Sequence, residues 1–191
     1  TPLYSSAASD VYKRQGRQED AHEYLRLLLE ALQHASTCFA PKDIKPQDPE
    51  LATTLVQRIF GGRLRSRVTC HSCRHNSDTY DPVMDLSLDV RKGIHSVKQA
   101  LEAFTAPEEL ADKYRCDQCH KSVNATKRFS IEQTPMVLTV HLKRFGIFGN
   151  KINKPISYAE RLQLGRYMSE RTADTDAYRL YAIVHLSLIH I

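Results

Sequence analysis

The chain has 191 residues, of which 41% are hydrophobic and 26% charged, a composition typical of a globular protein with a sizeable core. This balance excludes a largely disordered chain. No apolar run approaches the roughly 20 residues of a membrane helix, so we expect no membrane partner. The 27 basic and 22 acidic residues give a net charge of +5. The basic residues are scattered, so this charge permits an anionic partner without indicating nucleic acid.

The first part of the chain is predicted to form two helices joined by a loop. Between residues 16 and 35 apolar side chains recur at three- and four-residue steps, which indicates an amphipathic helix with the stripe Ala21, Leu25, Leu28, Leu29 and Leu32. Three prolines between residues 38 and 50 predict a surface loop. A second helix is expected over 51–60, ended by Gly61 and Gly62.

The pattern changes to strands after Gly62. Alternation predicts a strand over 64–68 and another over 83–90, whose apolar face carries Met84, Leu86, Leu88 and Val90. Ser96 is a suitable N-cap for a helix that Pro107 ends. Further strands are expected over 126–132, 136–145 and 178–185, of which the second is read as buried on both faces. Helices and strands that follow in this order indicate an α+β fold with a long excursion between two halves.

Four of the five cysteines form two Cys-x-x-Cys pairs, Cys70 with Cys73 and Cys116 with Cys119. A structural Zn²⁺ takes four soft ligands in a tetrahedron, and two such turns supply two thiolates each. Because 42 residues separate Cys73 from Cys116, the metal would clamp the ends of a β excursion together. A closed four-thiolate site leaves no position for a catalytic water, so we expect the zinc to be structural.

Two other interpretations of the cysteines are less favourable. Four ordinary buried cysteines would rarely fall into two matched pairs, and His71, His75 and His120 are treated as bystanders because four thiolates already close the site. A secreted disulfide scaffold would be shorter and richer in cysteine. The pairs therefore indicate an intracellular protein of the cytoplasm or nucleus.

Three segments together resemble the ubiquitin-specific proteases. Residues 18–25 (QEDAHEYL) resemble the helix start of that family, and 138–145 (LTVHLKRF), continued by 151–154, resemble its central palm strand. The part of the chain between these two segments resembles the fingers region of the family. The resemblance lies in Phe60-Gly61-Gly62, the first cysteine pair, Ser77-Asp78 and residues 85–88 (DLSL). The match spans most of the chain in the correct order.

The resemblance implies a fragment of a papain-like thumb, palm and fingers catalytic domain, with a zinc-ribbon β excursion as the fingers. It places a partial domain at 16–185, with fingers at about 62–130 and palm strands at about 131–185. The flanking segments 1–15 and 186–191 are expected to be foreign sequence. The implied activity is that of a cysteine-type deubiquitinase, which hydrolyses the isopeptide or peptide bond after the C-terminal glycine of ubiquitin. Ubiquitin and ubiquitinated proteins would be its partners.

The catalytic boxes of the family are not found in this sequence. The nucleophile motif Gly-Asn-Thr-Cys-Tyr would precede Gln18, and the base in Gly-His-Tyr would follow the strand that ends near His185. Cys38 lies on the wrong side of the first helix and before a proline-rich loop, so it is interpreted as a free cysteine. We therefore assign no catalytic residue and expect this truncated chain to be inactive.

The resemblance carries over three substrate-binding residues, Gln18, Asp20 and Phe145, which match positions that line the channel for the C-terminal tail of ubiquitin. Gln18 and Asp20 also suit the N-terminus of a helix, and Phe145 also suits a core position. Two alternatives remain. The chain could be a non-catalytic zinc-stapled module that binds ubiquitin, or a zinc-ribbon nucleic-acid binder, although no basic stripe interleaved with aromatics surrounds the knuckles.

Overall fold

The structure is a computed structural model that describes residues 21–36, 54–91, 93–144, 152–170 and 177–184. Within them lie three helices, α1 (Ala21–Ser36), α2 (Leu55–Phe60) and α3 (Val97–Phe104), and a 3-10 turn at Gly165–Tyr167. The strands are β1 (Gly62–Cys70), β2 (Asn76–Val83), β3 (Leu86–Asp89), β4 (Glu108–Glu109), β5 (Tyr114–Arg115), β6 (Ser122–Val123), β7 (Ala125–Gln133), β8 (Val140–Lys143), β9 (Arg161–Gln163) and β10 (Ala177–Arg179). None of the described helices is long and apolar enough to cross a membrane.

The largest sheet is antiparallel and has the order β2-β1-β7-β4. Its central strand β1 alternates as the sequence predicts, with Leu64 and Ser66 buried on one face and Arg63 exposed on the other. Strand β2 is at the edge, and this position explains how it accommodates Pro82, which has no N–H to donate to a neighbouring strand. The sheet therefore extends from the core toward the first cysteine pair at the end of β1.

The core lies where the base of this sheet meets the parallel pair β3–β8 and helix α3. Leu88 and Leu101 have no solvent exposure, and the same cluster contains Leu64, Leu86, Ala100, Ile131, Leu164 and Tyr167. The hydroxyl of Ser96 accepts a hydrogen bond from the Gln99 amide at 3.1 Å, which confirms the predicted N-cap of α3. The apolar stripe of this helix is thereby fixed against β3.

Helix α1 is far less covered than α3. Leu29 is its one buried residue, whereas Tyr24, Leu27, Leu28 and Leu32 are between 43 and 67% exposed. The C-terminal half of α1 is tied to α2 by Thr54, whose hydroxyl donates to the Gln33 side chain at 2.8 Å and also caps α2. The predicted amphipathic helix is confirmed over its described part, but two residues of its apolar stripe, Leu28 and Leu32, are exposed to solvent.

Several predicted boundaries are wrong, and the reasons are local. The strand predicted over 83–90 is two strands, because the chain bends at Met84 and Asp85 between the end of β2 and the start of β3. The segment predicted as a doubly buried strand over 136–145 contains only the half-buried strand β8, and Met136 is 76% exposed. Strand β10 ends at Arg179, short of the predicted 185.

Other elements were not predicted or begin elsewhere. Helix α2 begins at Leu55 instead of 51, because Thr54 is its N-cap, and residues 51–53 lie outside the described part. Strand β2 is largely polar and contains a proline, and β4, β5 and β6 have two residues each. Strands this polar or this short show no alternation of apolar and polar residues, so the sequence pattern does not predict them.

Removing the Leu101 side chain tests the position of the core. Leu101→Ala should lower the free energy of unfolding by about 3 kcal/mol, because it leaves a cavity in a fully buried cluster. Urea denaturation followed by circular dichroism measures this loss. Leu27→Ala is the matched control, since Leu27 is 51% exposed and its truncation should cost less than about 1 kcal/mol. Equal losses in the two variants would contradict the described core.

Candidate functional site

The two cysteine pairs converge, as the sequence predicts. Cys70 and Cys73 lie in the turn after β1, and Cys116 and Cys119 lie in the turn between β5 and β6. All four sulfur atoms are within 4.8 Å of one another. The Sγ atoms of Cys73 and Cys116 are 3.6 Å apart, and those of Cys70 and Cys119 are 4.0 Å apart. In the described part of the chain this cysteine cluster is the one group of three or more His, Cys, Asp or Glu side chains close enough to share a metal ion.

The two turns have the same backbone design. In the first, the Cys70 amide donates to the His75 carbonyl at 2.9 Å and the Arg74 amide donates to the Cys70 carbonyl at 3.0 Å. In the second, the Cys116 amide donates to the Lys121 carbonyl at 3.1 Å and the His120 amide donates to the Cys116 carbonyl at 2.8 Å. The chain therefore forms the same knuckle twice.

Each knuckle holds one residue in the left-handed region. Arg74 has φ of 60° and His120 has φ of 56°, and both directly follow the second cysteine of their pair. A non-glycine residue in this conformation costs roughly 1 kcal/mol. The two strained residues persist because the turn that brings the paired sulfurs together requires this backbone direction.

The sulfur geometry fits zinc. A tetrahedral ion with Zn–S bonds near 2.3 Å separates its sulfur ligands by about 3.8 Å, close to the 3.6 and 4.0 Å observed for two of the sulfur pairs. Cys70 and Cys116 are fully buried, Cys119 is partly buried and Cys73 is exposed. Four thiolates complete a tetrahedron, so the site can hold a structural ion and offers no open coordination position.

The pKa values of two of the four thiols are shifted in opposite directions. The Cys73 amide donates to the Cys70 sulfur and, against the effect of burial, lowers the pKa of Cys70 to about 7. The His75 amide acts in the same direction on Cys73. Although Cys73 as a residue is exposed, local desolvation of its sulfur and the three neighbouring sulfurs outweigh this effect and raise the pKa of Cys73 to about 12. Four thiols this close cannot all ionise without a compensating cation.

The histidines near the knuckles do not join the cluster. His71 Nε2 lies 2.6 Å from the Thr126 hydroxyl and 3.6 Å from the Glu109 carboxylate, so its ring is bonded to β7 and β4. His75 and His120 contribute backbone groups to the turns. The interpretation of these histidines as bystanders agrees with their positions.

A second polar group, which we call the dihistidine cluster, was not predicted. It comprises His22 on α1, Asp85 before β3, Ser87 on β3 and His141 on β8. His22 Nε2 is 3.1 Å from Asp85 Oδ2, Ser87 Oγ is 3.0 Å from Asp85 Oδ1, and Ser87 Oγ is 2.9 Å from His141 Nδ1. The two imidazoles stack with centroids 3.6 Å apart and planes 2° from parallel.

The dihistidine cluster has the residue types of a serine hydrolase but not the required hydrogen bonds. The Ser87 hydroxyl donates its one proton to Asp85 Oδ1 at 3.0 Å, so in this arrangement it does not donate to His141 Nδ1. A base that activates serine must instead accept the hydroxyl proton. The cluster is therefore a structural contact in this arrangement, and it ties α1 to β3 and β8.

The three predicted substrate-binding residues, Gln18, Asp20 and Phe145, lie outside the described residues, as does Cys38. Their roles stay predictions. The nearest described residues on either side of Phe145 contact each other. The Arg144 guanidinium donates hydrogen bonds to the carbonyls of Ile152 and Lys154 at 3.2 and 2.8 Å. These bonds hold Ile152 and Lys154 beside the end of β8.

Comparison with known proteins decides the family. A family model described as ubiquitin carboxyl-terminal hydrolase matches residues 3–187. The chain belongs to this family. It is 45% identical to ubiquitin carboxyl-terminal hydrolase 42 of Homo sapiens over 174 residues, which cover 90% of this chain and 13% of that protein. It is 46% identical to ubiquitin carboxyl-terminal hydrolase 15 of Arabidopsis thaliana over 183 residues, which cover 92% of this chain and 19% of that protein.

Solved structures confirm the α+β fold as part of a family catalytic domain. The SAGA DUB module that contains Ubp8 with Sgf11, Sus1 and Sgf73 matches with a TM-score of 0.72 at 27% identity, over 86% of this chain and 39% of that chain. A structure of the module bound to monoubiquitin matches with a TM-score of 0.68 at 30% identity, over 80% of this chain and 34% of that chain. This ubiquitin carboxyl-terminal hydrolase chain thus spans 13 and 19% of the two curated relatives and 39 and 34% of the two solved chains.

Loss of one cysteine tests whether the cluster holds the sheet together. Cys116→Ser should raise amide hydrogen exchange at the distal ends of β1, β2 and β7, because the second knuckle loses its tie to the first. Helix α1 should keep its exchange rates, since it contacts α2 and the dihistidine cluster. Hydrogen exchange with mass spectrometry measures both regions. Unchanged exchange at the knuckles, or equal loosening of α1, would contradict a local clamp.

Proposed function

We propose that this chain is part of a cysteine-type deubiquitinase, which hydrolyses the isopeptide or peptide bond after the C-terminal glycine of ubiquitin. The observation that carries the proposal is the match of the ubiquitin carboxyl-terminal hydrolase model over residues 3–187. The chain covers 13 to 27% of the first three curated relatives, so the activity of those whole proteins is a proposal for this chain. A cytoplasmic or nuclear location accords with four cysteines that are unpaired by disulfides.

Ubiquitin and ubiquitinated proteins are the proposed partners. Among the structural neighbours, one SAGA DUB module is bound to monoubiquitin and another to ubiquitin aldehyde. The resemblance in the sequence gives the same partner to Gln18, Asp20 and Phe145, through a channel for the ubiquitin tail. An amide, a carboxylate and an aromatic ring suit an extended tail that needs backbone partners and carries arginines.

The cysteine cluster is the proposed site of one structural zinc ion. Cys70, Cys73, Cys116 and Cys119 would be its ligands, and binding would contribute on the order of 10 kcal/mol to folding if the metal-free excursion is unstructured. The ion would neutralise the thiolates and hold β1 next to β5 and β6. It has no role in bond cleavage, because four protein ligands close its coordination shell.

No described cysteine is available as a nucleophile outside the cysteine cluster. The four described cysteines all belong to the cysteine cluster, and the Ser87 hydroxyl is engaged with Asp85. This observation supports the second candidate function, a zinc-stapled module that binds ubiquitin without cleaving it. Both functions share the ubiquitin partner, and turnover separates them.

We expect the 191-residue chain to show no turnover of a fluorogenic ubiquitin C-terminal substrate, because no described cysteine is free to attack the carbonyl carbon. The measurement is fluorophore release over time against a buffer blank. Cys38→Ser should leave this baseline unchanged. Turnover that disappears in Cys38→Ser would overturn the assignment of Cys38 as a free cysteine without a catalytic role.

The metal proposal predicts one zinc per chain by elemental analysis after gentle purification. Cys70→Ser should reduce the zinc content well below one, since it removes a fully buried ligand, whereas Cys38→Ser should retain one. Chelation should lower the thermal midpoint of the wild-type chain, and acidification should release the metal, because the ligands bind as thiolates. Absence of zinc in the wild type, with an intact fold, would contradict the proposal.

A further inference from the structure

The four sulfurs of the cysteine cluster differ in how far solvent reaches them. Cys73 is exposed and Cys119 is partly buried, whereas Cys70 and Cys116 have no solvent exposure. An oxidant that approaches from solvent therefore meets Cys73 first. Redox-sensitive thiols are typically accessible and lie beside a second thiol that resolves the first oxidation product. The cluster provides this combination of an accessible sulfur and a buried neighbour.

Cys73 has a buried neighbour on the other knuckle. The Sγ atoms of Cys73 and Cys116 are 3.6 Å apart, and Cys119 and Cys70 repeat this arrangement at 4.0 Å. A disulfide bond is about 2.05 Å long, so each pair needs only a small approach of the two side chains. The two bonds would link residues that are 43 and 49 positions apart. Each bond would tie the end of β1 to the turn between β5 and β6, the same two parts of the chain that the proposed zinc ion joins.

We propose that a peroxide oxidises the cysteine cluster to disulfide bonds across the two knuckles, first Cys73 with Cys116 and then Cys119 with Cys70. These bonds replace the metal as the anchor at the far end of the sheet, which makes the zinc ligands a reversible oxidation site. The inference rests on the positions of the four sulfurs and is independent of the proposed deubiquitinase activity. Only its metal-release measurement rests on the proposed zinc site.

The reaction balances with hydrogen peroxide as the oxidant. The Cys73 thiolate attacks one peroxide oxygen and the O–O bond breaks, which gives Cys73 sulfenic acid and a hydroxide that takes up a proton to form water. The Cys116 thiolate then attacks the Cys73 sulfur and displaces hydroxide, which is protonated to a second water. Two electrons pass from the two sulfurs to one peroxide. The metal ion keeps its charge and is released, because the two remaining thiolates cannot complete its tetrahedron.

Peptide mapping of the full 191-residue chain identifies which sulfurs join. Trypsin cleaves after arginine and lysine and releases each knuckle as one peptide, 68–74 (VTCHSCR) and 116–121 (CDQCHK). After one equivalent of hydrogen peroxide and alkylation of the free thiols, one disulfide should join the two peptides, with the alkyl labels on Cys70 and Cys119. Excess peroxide should add the second bond. A chromogenic zinc indicator should report metal release in parallel with the linked peptides.

The same chain unfolded in urea with a chelator is the matched control. Without the fold, closing the short loop within each Cys-x-x-Cys pair costs less entropy than joining sulfurs 43 residues apart. The oxidant should then give the two peptides separately, each lighter by two hydrogens. Separate peptides from the folded chain as well would overturn the cross-knuckle bonds. Sulfinic or sulfonic acid on Cys73 without any disulfide would overturn them too.

Amide hydrogen exchange tests whether the disulfides take over the anchoring. At the distal ends of β1, β2 and β7, the oxidised zinc-free chain should exchange within about twofold of the zinc-loaded chain. The reduced chain stripped of metal by a chelator should exchange more than about tenfold faster there. A dithiol reductant followed by zinc should restore the starting state. Linked peptides with exchange as fast as in the stripped chain would overturn the anchoring role.

These measurements keep the inference separate from the proposed functions. A chain that purifies without zinc would contradict the proposed metal site, while peptide mapping of that metal-free chain would still decide which sulfurs join. A failure of ubiquitin binding or turnover leaves both measurements unaffected, since neither of them uses ubiquitin.

Discussion

The meeting of two sulfur pairs from distant parts of the chain is the constraint on which the long sheet depends. At its base, β1 and β7 are anchored by apolar packing, where Leu64 lies opposite Ile131 in the core. Six residues further along β1, about 20 Å away, Cys70 lies opposite Ala125 and joins the cysteine cluster. A slender sheet with so few core contacts at its far end needs a second anchor, and the sulfurs provide it.

Helix α1 is attached by a different kind of contact. It buries one leucine and is tied to its neighbours by hydrogen bonds and a stacked imidazole pair, whereas α3 buries Leu101 completely. Local opening free energies follow buried apolar area, so α1 should open well before the core does. Hydrogen bonds between side chains break and re-form at a small cost in free energy. While they are formed, they fix the position of the helix relative to its neighbours.

Sequence reasoning succeeded where the physical cause is local and failed where it is not. The knuckles, the Ser96 cap and the alternation of β1 each arise within ten residues, so their patterns can be read directly. The dihistidine cluster joins residues 63 and 54 positions apart, and nothing near His22 or His141 in the sequence marks the pairing. The apolar run that begins at residue 136 led to a wrong prediction of a buried strand. An apolar composition does not by itself bury a side chain, and Met136 is exposed.

The left-handed backbone at Arg74 and His120 has an evolutionary consequence. Glycine adopts this conformation without steric cost, and asparagine tolerates it better than most residues, whereas β-branched side chains are strongly disfavoured. Substitutions that accumulate in related lineages should therefore favour glycine or asparagine directly after the second cysteine of each pair, and should avoid valine, isoleucine and threonine there. Two positions far apart in the chain would thus share one substitution spectrum, set by the shape of the turn and not by any contact between them.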